Sequence, residues 1–492
     1  MDKTLLTSRT RYIVPFMFEP REGFEEVIDN ISAMGNWIVS DNKTENFEHD
    51  TYRLIRDGFI MQDNNSNIGC SLEYLTGDDY PIKKINYTRF ENKFIVDISQ
   101  MGMFLFRTGV GFLWYEADFP EETSVDKAVL FENEFKELSY ERFVNQKYNN
   151  HVIFEDLTSP QKEGILMGHW INEEILNKLP IKVTYFAERR DYYNKNILIP
   201  DKALIFNYIV HKKGEEGENE LLYQLTNGYN RKYKCKADIK KEFYEPFSNA
   251  SCYVTQGGCG YLAAPELDNQ NFYLRTFKKK IMVDYFTLYI LALYQFYTIL
   301  RFTKTMQSVL SAEVNDYHRE SQKNLDILQS IETEINIFLI KSIYSSVSYI
   351  DHQNRFYQYV IERLSIKDNM ESLTVGLESL RKLQEAQEID RITKIEKLEN
   401  EEREMFDDRF TIGLGLLSIL ALISAVGDGM AVADALSGIF NLSEDPKHII
   451  EILFFILIIF VAVIAIGTMI PSIKRYRKKR KALKYKENIK NI

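Results

Sequence analysis

The sequence predicts an α+β membrane protein: a cytoplasmic α/β domain, then a long helical stalk, then two C-terminal transmembrane helices. Three observations predict it. Strand-like runs recur through the first 265 residues, no proline occurs between Pro265 and Pro446, and Ile452–Ile470 is a 19-residue run without a charge or a proline. The composition agrees. Of 492 residues 45% are hydrophobic and 27% charged, which excludes a disordered or collagen-like chain, and 4 cysteines exclude a disulfide scaffold. The net charge of −10 argues against direct nucleic-acid binding by the body as a whole.

The α/β domain is expected over residues 1–265. Runs rich in β-branched and aromatic residues fall at Arg11–Phe18, Phe94–Ile98, Met103–Phe106, Gly111–Glu116, Ile181–Ala187 and Ala203–Val210. Arg107-Thr108-Gly109-Val110 between two of them reads as a hairpin turn. The stretch from Ser124 to Leu138 has helical periodicity, with Ser124 or Thr123 to cap it and Asp126 near its positive end. The cluster Gln256-Gly257-Gly258-Cys259-Gly260 reads as the domain boundary, or as a turn where the backbone can approach a ligand.

A long-helix region follows over 266–409, because no glycine interrupts the chain from Gly260 to Gly376. Ile281–Leu300 is apolar but carries Asp284, Gln295 and four tyrosines, so it reads as a buried helix rather than a third span. Helices are expected over about 312–344 and from Ser348 into the membrane. Leu373, Leu377, Leu380, Leu383, Ile389, Ile392, Ile395, Leu398 and Met405 form a narrow stripe, which suits a stalk packing on copies of itself; packing on its own chain is the alternative.

The membrane domain is expected over 410–472 and a basic cytoplasmic tail over 473–492. Ile452–Ile470 would rise roughly 28 Å, close to the hydrocarbon thickness, with Pro471 ending it. A first span is read over Phe410–Ala435; the alternative stops it at Gly427 and places Met430–Phe440 in an external loop. Residues 474–492 hold ten Lys or Arg against Glu487 alone, a net of +9, so the rest of the chain sums to −19. The positive-inside rule then puts both termini in the cytoplasm and Asn441–His448 outside, as for a multi-pass protein of the plasma (cell inner) membrane. No signal-peptide h-region is apparent at the N-terminus, and the cysteines (Cys70, Cys235, Cys252, Cys259) read as reduced thiols.

The residues do not point to an enzyme. The seven histidines are scattered, no phosphate-binding P-loop or dinucleotide fingerprint occurs, and Cys252 and Cys259 lack a second close pair, so no metal-ligating set is assigned. Arg189 and Arg190, at the end of an expected strand, could hold a phosphate with their guanidinium forks, with Gly257 and Gly258 as a second ligand contact. Phe186, Tyr192 and Tyr193 could wall a base, and Arg231, Lys232 and Lys234 form a further basic patch. Seven acids lie between Glu396 and Asp408; in a symmetric oligomer Glu401, Glu404, Asp407 and Asp408 would form rings at a cytoplasmic pore mouth and concentrate cations. Asp428 and Asp434 are costly in lipid and suit a water-filled pore, with Ser424 one turn before Asp428 on the same face.

These features resemble the CorA-type divalent-cation channels: a cytoplasmic α/β domain, long helices feeding the first span, two C-terminal spans with a short external loop, and a basic end. The resemblance implies a homopentamer with the first span lining the pore and a divalent cation as permeant ion. The family's Gly-Met-Asn is absent; Gly429-Met430-Ala431 matches two letters, and Asn441 lies apart, so the asparagine that would hold a hydrated magnesium ion is missing. The segments Phe104–Glu116 and Asp284–Gln295 are similar to the CorA-like effectors associated with type III CRISPR systems. That similarity implies an antiviral channel opened by a nucleotide second messenger, a conjugate of S-adenosylmethionine and AMP (SAM-AMP), that compromises the membrane. The alternatives are a magnesium or other divalent-cation transporter and a membrane-anchored interaction protein.

Overall fold

The computed structural model describes residues 5–19, 23–39, 68–75, 84–89, 92–119, 123–139, 152–154, 167–191, 194–212, 217–229, 232–236, 238–315, 321–440 and 444–490. They form two compact units, Met1–Glu378 and Ser379–Ile492. The protein is mixed α/β with a sheet domain and long helices.

The first unit is organised around β1 (Leu5–Glu19), whose residues from Tyr12 to Phe18 are apolar on both faces. Residues 9–17 of β1 pair antiparallel with β6 (Val110–Asp118). On its other edge, residues 5–13 pair with β11 (Leu204–His211) and residues 16–19 with β8 (Lys182–Tyr185). Pro15, which has no N–H to give a ladder, falls between those two pairings. The remaining strands are β2 (Trp37–Val39), β3 (Gly69–Tyr74), β4 (Lys84–Arg89), β5 (Asn92–Phe106), β7 (Val152–Phe154), β12 (Tyr244–Phe247), β13 (Ala250–Thr255) and β14 (Gly258–Ala263). The sheet order is β12-β13-β14-β11-β1-β6-β5-β3-β2, with β4 on β5 and β7 on β4. Only β11 and β14 run parallel among these pairings. A separate ribbon joins β9 (Glu188–Arg190) to β10 (Leu198–Pro200).

One face of the sheet is covered by α1 (Phe24–Ala33), α2 (Val125–Phe135), α3 (Met167–Trp170, continuing as a π-helical turn over Ile171–Leu176) and α4 (Glu218–Asn227). The expected cap of α2 is present: Lys127 N–H donates to Ser124 Oγ at 3.3 Å. Even-numbered residues of β6 and β11, and of β5 beyond Gln100, face the opposite way. There Phe106 stacks on Tyr294 at 4.0 Å, and Trp114 and Phe206 meet Phe286 edge-on. Their partners lie on or just before α5 (Phe286–Asn315), which is preceded by π-helical turns at Phe272–Phe277 and Ile281–Tyr285. Helices α6 (Ser321–Lys341) and α7 (Asp351–Arg363) complete this layer.

The helix around Ile281–Leu300 is therefore buried, as its polar residues predict. Phe272–Ser308 is long and apolar enough to cross a membrane, yet 78% of its apolar window is buried inside the protein. Gln295 shows why: its amide donates to the Ser342 carbonyl and its oxygen accepts from Tyr357 at 3.0 Å. Three expectations need correction here. The strand runs at 94–98 and 103–106 are one strand, β5, irregular between Ile98 and Gln100 where it pairs with β6. The glycine cluster is not a boundary, because Gly258 and Gly260 lie inside β14, and the compact unit runs on to Glu378. The stripe on the long helix is not uniform: Leu373 and Leu377 are buried within the first unit, while Ile389, Ile392, Ile395 and Leu398 are 46–65% exposed. Leu383 lies outside the described side chains.

The second unit holds the rest of α8 (Ile366–Phe440) and α9 (Glu444–Lys490). Two boundaries differ from expectation. The connection between the helices spans at most 441–443, since Glu444–His448 already belongs to α9; Glu444, Asp445 and Pro446 suit a helix's first turn. Pro471 does not end the helix but lies within it. A proline removes one helical donor and crowds the carbonyl four residues earlier, and that residue is Gly467. Thr468 and Ser472 donate to carbonyls at 464 and 468, respectively, supplying local hydrogen bonds beside the proline.

Candidate functional site

The second unit is a helical hairpin. A Cβ on Gly415 of α8 would stand 3.0 Å from Met469 Sδ of α9, so the glycine lets the helices approach closely. Nearer the chain's basic end, Asp408 Oδ1 lies 3.9 Å from Arg475 Nε, and Arg409 donates to the Tyr476 hydroxyl at 3.1 Å with its guanidinium 5.2 Å from that ring's centroid. These pairs fix α8 and α9 as antiparallel neighbours.

The outside of this hairpin is apolar. Along α9, Ile452, Phe455, Ile456, Leu457, Phe460 and Val463 are all more than half exposed, as are Leu416, Leu417 and Leu420 on α8. Phe455–Lys478 passes the length and hydropathy test for a membrane span with only 6% of its apolar window buried. An aqueous monomer rarely leaves an apolar surface of this continuity in water. Membrane association is the reading this surface favours.

Ser424 and Asp428 are exposed one turn apart on α8. Asp434 lies on the same helix, its side chain outside the described residues. Of the acids assigned to the pore mouth, Glu404 and Asp407 are exposed and Glu401 is half-buried. Asp408 differs: at 7% exposure it is turned toward α9 and Arg475, so within one chain it secures the hairpin rather than facing outward.

In the first unit the expected ligand residues do not converge. Arg189 and Arg190 are consecutive on β9, and consecutive strand residues point to opposite sides. Arg189 is already held by Asp201 at 2.7 Å, and Asp201 also accepts from Ser139 Oγ at 2.7 Å. Tyr192 and Tyr193 lie outside the described residues, and Phe186 packs edge-on against Tyr297 at 4.6 Å. Gly257 sits in the tight turn between β13 and β14. A Cβ on Gly258 would fall 2.3 Å from the Ile205 carbonyl oxygen and 2.8 Å from that of Thr226, so the close approach that glycine permits is to the protein's own backbone.

Polar groups that sequence patterning left unnoticed are concentrated in the core. Glu132 is fully buried against the sheet, accepting from Thr10 Oγ1 at 2.5 Å and Tyr12 OH at 2.8 Å; burial pushes its carboxyl up to about 7. Arg11, also buried, is sandwiched between Trp114 and Phe286 at 4.3 Å from each, pairs with Glu116 at 2.8 Å and donates to the Met282 carbonyl at 2.6 Å. On β1, Thr10 and Tyr12 face Glu132 while Arg11 between them faces the other way, an alternation with no sequence signal for its buried partners. Cys252 and Cys259 approach to 3.8 Å between sulfurs as buried thiols. Among the described residues no group of three His, Cys, Asp or Glu could hold a metal ion.

Fold and site together define an α/β sheet protein that carries an exposed apolar helical hairpin. Compared with known proteins, the chain matches no family model, no curated protein and no solved structure.

Proposed function

We propose that the chain is the subunit of a homo-oligomeric membrane channel of the CorA-like kind, in which the sheet unit senses a nucleotide messenger and the hairpin forms the membrane path. The observation that carries this reading is the exposed apolar surface of α9 between Ile452 and Ile470, joined by Leu414, Leu416, Leu417 and Leu420 of α8. Lipid can cover it because every helix satisfies its own backbone hydrogen bonds. The exposed isoleucines and leucine at 389, 392, 395 and 398 give copies a surface on which to associate. Asp428 and Ser424 would then line a cation path, where an ionised carboxylate meets water and not lipid.

The resemblance noted above supplies the ligand of this reading, the conjugate of S-adenosylmethionine and AMP, and its consequence, a compromised plasma membrane in antiviral defence. Such a ligand opens the channel only by binding the open form more tightly than the closed one. Native mass spectrometry of the detergent-solubilised protein tests assembly. A homo-oligomer, with five copies expected, supports the reading, and a monomer or dimer contradicts it.

A further inference from the structure

Beside α4 the structure brings together three tyrosine rings and the Lys136 ammonium group, a convergence that the Arg189–Arg190 ribbon lacks. Tyr223 of α4 meets Tyr229 edge-on at 5.7 Å, and Tyr229 meets Tyr233 at 5.1 Å. Lys136, just past the end of α2, lies 5.0 Å over the Tyr229 ring and donates to the Asn227 carbonyl. Tyr233 ends this run of rings and is 57% exposed. The strip is fixed from below: Gln224 donates to the Tyr233 carbonyl at 3.3 Å, and Glu220 accepts from the Cys235 N–H at 3.0 Å. The exposed aromatic face therefore belongs to a segment tied to a helix. Lys232, Lys234 and Lys236 flank it, all exposed.

An exposed ring held in place on a lysine-rich segment suits a ligand with a flat base at one end and phosphate at the other. Stacking on a tyrosine recognises any nucleobase face, and flexible lysines neutralise phosphate without demanding one geometry. On a body of charge −19 a local cationic segment is also what allows an anionic group to approach. We propose that Tyr233, Lys234 and Lys236 form the nucleoside-phosphate site of the sheet unit, with the base on Tyr233 and the phosphate on the two ammonium groups. This inference rests on the reading that a nucleotide controls the channel, and it locates the site at Tyr233, Lys234 and Lys236 rather than at Arg189 and Arg190.

Calorimetric titration of the full-length protein in detergent with the S-adenosylmethionine–AMP conjugate tests it. Tyr233→Ala should weaken binding about tenfold or more, and Tyr233→Phe, which keeps the ring, should bind as wild type. Lys234→Ala/Lys236→Ala should also weaken binding at least about tenfold. All three side chains are exposed, so melting temperatures should stay at the wild-type value. If wild type binds while the loop variants keep full affinity, the inference is overturned and the nucleotide reading stands. Loss of binding in Arg189→Ala/Arg190→Ala with the loop variants unaffected moves the site to β9 and also overturns it. If wild type binds no conjugate, both fall.

Discussion

Gly415 and Met469 hold the two long helices of the second unit in contact: a Cβ at 415 would lie 3.0 Å from the methionine sulfur. Because Arg409 and Tyr476 are bonded a short way along the same helices, the contact sets the register of the whole hairpin. Gly415→Cys/Met469→Cys should therefore form an intrachain disulfide on mild oxidation in membranes. The check is gel mobility with and without reductant; crosslinks solely between chains would place these helices against other copies instead.

Asp428 and Ser424 share one exposed face of α8. Asp428→Asn keeps the side chain's shape and removes its charge. Cation conductance should fall severalfold while the oligomer survives, as measured by liposome flux and native mass spectrometry on the same sample. Unchanged flux and ion preference would remove Asp428 from the path.

Arg11 is buried between Trp114 and Phe286 and pairs with the wholly buried Glu116. Removing one partner of a buried pair leaves the other charge uncompensated, at a cost of about 3–5 kcal/mol. Arg9 and Ser99 also reach Glu116, at 3.2 and 2.9 Å, so the lower end is expected. Thermal melting of Arg11→Ala followed by tryptophan fluorescence measures it.

Glu132 gives the first unit a pH signature. Burial raises its native carboxyl from 4.5 to about 7, so between these values the folded protein holds a proton that the unfolded chain has released. The unfolded state then binds fewer protons, and stability falls as pH rises through that window. The loss is on the order of 3 kcal/mol. Glu132→Gln, neutral throughout, should flatten this part of the profile and melt higher than wild type at pH 8. A variant with the wild-type slope in thermal melts from pH 4.5 to 7.5 would assign the effect elsewhere.

What patterning made legible was decided by surfaces. The uncharged run at 452–470 has one reading wherever it sits, and the structure leaves that run exposed. Ile281–Leu300 was separable from it because Asp284, Gln295 and four tyrosines need polar partners, which Ser342, Tyr357 and His352 help to supply. The glycines at 258 and 260 misled, since glycine marks close approach without saying to what; here it is to Ile205, Thr226 and Asn207. Pro471 misled because a helix flanked by further helix formers and relieved by Gly467 can continue through a proline. Arg189 and Arg190 form a conspicuous pair in sequence, but a strand's period of two separates them. The tyrosine run at 223, 229 and 233 was hidden, because a helix end and a loop bring those rings together.

Cation flux through liposomes containing only the purified full-length protein tests the central claim most directly. The account predicts a tight membrane in the absence of nucleotide and release of trapped cations on addition of the S-adenosylmethionine–AMP conjugate. Flux that is magnesium-selective and indifferent to the conjugate would contradict it and point to a transporter, and no flux under either condition would contradict a channel altogether.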